Sequence, residues 1–490
     1  MYYYLRRMVS CSLVLVLLLS LFSGCAAAAL PAPVGTTSGQ SEAPLPSLAP
    51  FRVYYWELDP FLHSIIEPYA VKNPHCEATG FRNPNDMTEM IISDIENGTP
   101  PDLILLTRDT GLDIVRMAEL GLLENFDSYL EQDSTYNPAD YYTNVLDSGV
   151  INGGRTIMPL SFMVPVLISS QEAMEQNGIF LPEQPTLDEL YQQIILNAEA
   201  LKNDDTKCAA TWIGLASANV MPTTLFLEAA GYDLATQGAE GLSSAAARAA
   251  IAFEAAIDKV GNSDKALPIL RDYRTMRPFH SDFVANFSGD SFASTVLNAT
   301  FSMCLLHAGD EVRFYDSVYQ DIMGQTTRLI PMPIANHGDT GDPNAYQSLA
   351  MMAAVIPAGA DSDAKQSAYE MVRMLMDSDT QAHLRGKYGV SVNRAVTARY
   401  MDSIAKATAA QTAGNMTIAP LSEAMKTQIL DIFDKVAGTF FVRRGPQDII
   451  GEQSHIYNKE SMDRYEEFVA EVTILLTEYN DSMEYGKIIQ

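Results

Sequence analysis

Glu96-Asn97-Gly98-Thr99-Pro100-Pro101-Asp102-Leu103-Ile104-Leu105-Leu106 joins the end of one element to the start of another, and its reading sets the fold class. Residues 86–97 carry a helical pattern, opened by an Asp86-x-x-Glu89 capping box and closed by Gly98. Pro100 and Pro101 end that helix, because proline lacks the N–H a helix interior needs. The apolar run after them is continuous rather than alternating. A strand covered on both faces reads this way, so residues 101–106 are expected to form a buried parallel strand.

The same alternation extends on both sides. Residues 51–56 read as a strand, 60–71 as a helix and 76–81 as a short strand, and 112–120 return as a helix ended by Gly121. Strand alternating with helix at this spacing means βαβ units in a mainly parallel sheet. Downstream, Asn152-Gly153-Gly154 marks a hairpin turn and 164–169 a strand. A helix from Gln171 ends at Asn177-Gly178, and Thr186-Leu187-Asp188-Glu189 is a capping box opening a helix to about 201. Later helices are expected over 222–230, 244–260, 361–377, 422–437 and 461–479, with strands over 298–306, 329–332 and 349–356.

The N-terminus has a different character. Arg6 and Arg7 precede an uncharged apolar run over 9–22, too short for a comfortable membrane span and suited to a signal peptide. The run ends in Leu21-Phe22-Ser23-Gly24-Cys25, which resembles a lipobox with Phe22 where leucine is usual. Residues 1–24 are therefore expected to be a lipoprotein signal peptide, with Cys25 carrying the lipid. The alternative is an ordinary secretory signal cleaved within 26–29. Residues 25–50, rich in Ala, Pro, Ser, Thr and Gly, lack apolar periodicity and read as a flexible tether.

The roughly 440 residues beyond Pro50 exceed one compact core and suit two lobes or one large α/β domain. With 32 basic against 61 acidic residues, the surface is acidic, which argues against nucleic-acid binding. Apart from Cys11 and Cys25, the cysteines are Cys76, Cys208 and Cys304. Their odd number reveals no disulfide framework. One pair could be bridged, but three small buried hydrophobes is the simpler reading. No nucleophile elbow, H-E-x-x-H or Walker-type loop occurs. The His307 and Glu311 spacing reads as loop polarity rather than a metal site, and paired carboxylates for glycoside hydrolysis need no local motif.

Several segments in order resemble the family 1 extracellular solute-binding proteins, the maltose-binding-protein-like receptors of ABC importers. They are Val53-Tyr54-Tyr55-Trp56 with the helix tail ending at Asn73-Pro74, the Glu96 to Leu105 stretch, and Leu120-Gly121-Leu122-Leu123-Glu124-Asn125-Phe126-Asp127. Then come Asn152 to Leu160, and Glu172 to Glu189 with Leu187 where tryptophan is usual. Last are Ala364 to Gln381 and Gly389-Val390-Ser391-Val392-Asn393, with Ser391 in place of proline. The match is loose over 202–301.

The resemblance implies a two-lobed, type II periplasmic-binding-protein-like α/β fold whose lobes, each a mainly parallel sheet flanked by helices, are joined by a hinge. Lobe 1 would comprise 51–162 plus 346–390, and lobe 2 would comprise 163–345 plus 391–490. Crossings are expected near 162–164, 346–348 and 390–392. It further implies a monomeric receptor, not an enzyme, lipid-anchored on the extracellular face of the membrane, passing a solute to ABC permease subunits, with no cofactor or metal. Carbohydrate is the first ligand class implied. Sugars are held by aromatic rings and polar side chains at strand ends. The candidates are Trp56, Glu57, Asp102, Thr107, Arg108, Phe162, Trp212, Tyr346 and Gln347. A peptide or polyamine ligand, and a sensor or adhesion role, remain open alternatives.

Overall fold

The strand–helix alternation expected from residue 51 onward is present. A computed structural model describes residues 49–107, 110–200, 208–212, 222–231, 244–249, 299–306, 310–317, 319–320, 324–334, 345–384, 389–411, 417–441 and 465–484. Strand β1 (Phe51–Trp56) leads through α1 (Pro60–Lys72) to β2 (Cys76–Phe81), and α2 (Pro84–Glu96) leads to β3 (Leu103–Thr107). β1 lies between β2 and β3 and pairs with both in parallel. β3 is buried along its whole length, as its unbroken apolar run requires.

The helix ahead of β3 begins earlier than expected. Asn83 is its cap, accepting the Asn85 N–H at 3.1 Å, and Pro84 occupies the first turn, where a missing N–H is harmless. Asp86 therefore sits inside the helix rather than capping it. The next helix, α3 (Ile114–Glu119), starts later than expected because Asp113 caps it, accepting the Arg116 N–H at 3.0 Å. The hairpin forms as anticipated. Val150–Ile151 and Gly154–Arg155 pair through Asn152 (φ 52) and Gly153 (φ 81), the left-handed pair a two-residue turn requires.

Beyond the hairpin come β4 (Met158–Ser170), β5 (Cys208–Trp212), β6 (Ala299–Leu306), β7 (Thr327–Pro331), β8 (Tyr346–Val355), β9 (Val390–Ser391) and β10 (Val436–Phe440). The sheet order is β2-β1-β3-β8-β4-β6-β5, with β7 and β9 also on β4 and β10 on β8. β8 runs antiparallel to β3 and β4, while β4 runs antiparallel to β6, β7 and β9. The sheet is therefore mixed, because long return strands insert into the parallel βαβ frame.

β4 is longer than the expected 164–169, and its two prolines do not end it. Its first half pairs with β8 and β9, and from Val164 onward it pairs with β6 and β7. Phe162, just before this change of partners, faces both Ala350 and Val390. Its ring is packed edge-on against Tyr142 and Phe433, at 5.4 and 5.6 Å between centroids.

Among the helices, α4 (Leu187–Ala200) carries the expected capping box. Glu189 accepts the Thr186 N–H at 2.8 Å while donating its own N–H to the Thr186 hydroxyl at 3.3 Å. α5 (Pro222–Ala229) and α6 (Ser362–Met376) lie where expected, whereas only 244–249 of the helix expected over 244–260 fall among the described residues. α7 (Arg394–Ala405) precedes α8 (Glu423–Asp434), and α9 (Tyr465–Glu484) comes last, shifted toward the C-terminus of its expected span. The expected 422–437 helix stops at Asp434, and from Val436 the chain runs on as β10. Gly438 allows the tight approach there, since a side chain on it would meet the Ile334 Cδ1 at 2.8 Å.

The signal peptide and most of the tether lie outside the described residues, as does His307. No helix among the described residues is long and apolar enough to cross a membrane. Cys76 is free and buried. Cys208 pairs with Ala299, so Cys304 stands five residues along the neighbouring strand, roughly 16 Å away and too far for a bridge. Burial pushes the Cys76 thiol up to about 11, and only a thiolate attacks. Cys76 should therefore resist an aromatic disulfide reagent at pH 8 until denaturant is added. Fast labelling of the native protein would show the thiol to be accessible.

Candidate functional site

Open α/β sheets bind ligands at the carboxyl ends of their parallel strands. Tyr55 stands opposite Leu105 in the β1–β3 register. Trp56 and Glu57 therefore reach the same edge of the sheet as Leu106 and Thr107, on strands about 4.8 Å apart. Trp56 is half-buried, with its Nε1 donating to the Arg82 carbonyl at 3.4 Å. Glu57 is held beside it, accepting from Arg82 Nε at 3.2 Å. Thr107 lies across from Met352 of β8.

A small cleft, with room for about a water-sized group, opens at this edge, lined by Leu106, Thr107, Thr110, Met351, Met352 and Phe441 among others. The backbone turns there, with the Thr107 N–H donating to the Thr110 hydroxyl at 3.3 Å and the Thr110 N–H donating back to the Thr107 carbonyl at 2.9 Å. The Thr107 side chain is 7 % exposed, and its Oγ1 has no hydrogen-bond partner among the described residues. A buried hydroxyl without a partner is costly, so it is poised to bond to something that enters the cleft.

The other candidates fall elsewhere. Asp102 sits at the amino end of β3, roughly 16 Å from Thr107 along the strand. There its carboxylate accepts the Arg52 N–H at 2.7 Å, and its own N–H donates to the Arg52 carbonyl at 3.0 Å. Burial raises the Asp102 carboxyl above its ordinary value, partly offset by that N–H. Its work is to tie β1 to β3. Phe162 is fully buried in the aromatic cluster described above. Tyr346 is buried, with its N–H donating to the Lys435 carbonyl at 2.9 Å. Gln347 is 2 % exposed, and neither amide atom of its side chain has a partner among the described residues. It lies five residues from Met352 along β8, roughly 16 Å from the Thr107 row. Trp212 ends β5 opposite Met303, and Arg108 lies outside the described residues.

Sequence reasoning thus brings Trp56, Glu57 and Thr107 together and misses Thr110, Met351, Met352 and Phe441. Thr110 is within its reach, since it comes one turn after Thr107. The methionines read only as core of a Met/Ala-rich strand. Phe441 offers no local signal, because it arrives with β10, whose first two residues read locally as the end of a helix.

No protein-family model matches the sequence, and no curated protein matches it in sequence. Among solved structures, the chain is similar to the sugar-binding protein MalE from the phytopathogen Xanthomonas citri. That match has 14% identity and a TM-score of 0.50 and covers 89% of this chain and 99% of the other. It is also similar to a sugar transporter from Rhizobium etli in an open conformation (13% identity, 87% and 98% covered, TM-score 0.49). A third is an extracellular solute-binding protein of family 1 from Alicyclobacillus acidocaldarius (13% identity, 88% and 98% covered, TM-score 0.47). The Xanthomonas likeness establishes the fold class: a two-lobed periplasmic-binding-protein-like α/β architecture.

Proposed function

We propose that this chain is a family 1 extracellular solute-binding protein that captures a carbohydrate between two lobes and delivers it to ABC permease subunits. It binds its solute and does not transform it. The observation that supports this best is that Trp56, Glu57 and Thr107 reach one edge of the sheet, at the carboxyl ends of β1 and β3, where Thr107 also lines a cleft. The fold shared with a sugar-binding protein supports the ligand class. In this reading Trp56 packs on the apolar face of a sugar ring, while Glu57 and the Thr107 hydroxyl bond to its hydroxyls.

The lobes would meet where β4 changes partners, with Phe162, Ala350 and Val390 side by side. The solute then favours the closed arrangement by touching both lobes. Cys25 would carry a lipid, and the stretch to Pro50 would keep a monomeric receptor on the extracellular face of the membrane beside its importer.

Thermal-shift screening against a glycan panel tests the ligand class, because a ligand of the native state must raise the melting temperature. At least one sugar is expected to do so. Silence across all sugars, with a response to a peptide or polyamine, would remove carbohydrate and leave the receptor role. With the responding sugar in hand, Trp56→Ala and Thr107→Val should each weaken binding about tenfold, equivalent to about 1.4 kcal/mol. Isothermal titration reads this directly, and unchanged affinities would place the ligand elsewhere.

A further inference from the structure

Residues two apart along a strand share one face of the sheet. On one face, Tyr55 and Leu105 ahead of the change of partners at Phe162, and Val166 and Leu329 beyond it, belong to a single continuous core. On the other face the core is split. Tyr54 and Leu106 pack in one cluster and Leu167 and Ile330 in a second, and the small cleft, with Leu106 and Met351 in its wall, lies between them. Two lobes can therefore close on the split face, while the unbroken face is the back of the hinge.

α7 and α8 cross that back. Lys426 of α8 donates to Asp402 of α7 at 2.9 Å, and the two helices bury Met401, Ile404, Ile429 and Phe433 in the continuous core. At one end, Arg394 donates its Nε to the Tyr141 carbonyl at 2.9 Å, with its guanidinium 4.4 Å from the centre of the Tyr142 ring. Asn144 donates to the Val436 carbonyl, just past α8. At the other end, Arg313 of the helix Asp310–Ser317 donates its Nε to the Ala419 carbonyl at 2.6 Å, and the Ala419 N–H donates to the Ser317 hydroxyl at 3.0 Å. One end thus grips residues 141–144, ahead of β4, and the other grips a helix that follows β6. Bodies that close on the front of a sheet part at its back, so closure stretches one of these two grips.

We propose that α7 and α8 form a strap across the back of the hinge, held at its ends by Arg394 and Arg313, which opposes closure and sets how readily the lobes close. The strap touches no solute. It rests on the two-lobed fold and not on the ligand class, so it stands or falls separately from sugar binding. Hydrogen bonds from a charged donor are the strong ones, and releasing a grip should shift the balance about tenfold toward the closed arrangement.

Small-angle X-ray scattering of the mature protein without solute tests this, on the native chain, Arg394→Met and Arg313→Met. Arg116→Met is the control, because Arg116 pairs with Glu119 on the exposed side of α3. At least one strap variant should show a smaller radius of gyration than the native chain, and the control should match it. If Arg394→Met is the compact one, Arg394→Lys, which keeps a donor and a charge, should restore most of the native radius. Both arginines are partly exposed, and if one variant does not fold the other decides. Native radii in both strap variants overturn the proposal. A larger radius in either overturns it as well, since the helices would then only hold the fold together.

Discussion

An alanine at Gly389 is expected to destabilise the protein by about 3 kcal/mol, combining left-handed backbone strain with overpacking. Gly389 has φ +99, a conformation that L side chains rarely adopt. A Cβ there would also lie 2.7 Å from the Phe162 carbonyl oxygen and 3.2 Å from the Phe162 nitrogen. Both are backbone atoms in the middle of a sheet. Phe162 is paired on two sides and its ring is packed between Tyr142 and Phe433, so it cannot retreat. Gly153→Ala is the control that separates the two causes. Gly153 has a similar φ of +81, but nothing lies within 4 Å of its absent side chain. Conformation alone should cost roughly 1 kcal/mol there. Denaturant unfolding of both variants checks the difference; equal losses would mean that the close approach at Gly389 is not a constraint.

The second large effect is expected at Arg373. Its Nε donates to Asp133 at 2.5 Å, and Tyr369 donates to the same carboxylate oxygen at 3.0 Å. Arg373 also donates to the Tyr141 hydroxyl at 3.1 Å and stands over the Tyr136 ring at 5.3 Å. Arg373 and Asp133 are each 14 % exposed, so this is a largely buried pair. Removing one partner strands the other charge, and Arg373→Met should cost about 3 kcal/mol. Because Asp133 ends the short helix Asp127–Gln132, the loss would loosen that helix from α6.

The same pair sets a pH dependence. Burial by itself raises the Asp133 carboxyl, but hydrogen bonds from Thr135, Arg373 and Tyr369 more than reverse this and hold it well below the usual carboxylate range. A carboxyl depressed in the folded state contributes its stability fully above the unfolded value of about 4 and loses it as pH falls further. The stability gap between the native chain and Asp133→Asn should therefore stay constant from pH 8 to 5 and shrink below about pH 4. A gap that widens toward acid would contradict the assignment.

Much of the frame is legible from local pattern. The Pro100-Pro101 stop, the buried run of β3 and the Asn152-Gly153 turn each depend on backbone chemistry within a few residues, and each is present. The Thr186–Glu189 box likewise closes on itself. Where a second capping signal competes, the local reading slips. Asn83-Pro84 outranks Asp86 because proline in the first turn commits the chain earlier. β10 escapes local reading because its pairing with β8 comes from about 90 residues away. Nothing local marks Val436–Phe440 as a strand.

The cleft divides in the same way. Periodicity and strand ends are enough to name Trp56, Glu57 and Thr107, because parallel strands of matching register must bring their carboxyl ends to one edge. Asp102 is named with them, yet it stands at the opposite edge, a difference of direction that a strand's composition does not carry. The order β3-β8-β4 and the change of partners at Phe162 come from long-range pairing alone. So do the arrival of Met351, Met352 and Phe441 beside Thr107 and the backbone gap that Gly389 leaves against Phe162. Local sequence determined which elements exist and which of their ends could face a solute. Tertiary packing decided what surrounds those ends, because the partners are brought there by strands hundreds of residues apart.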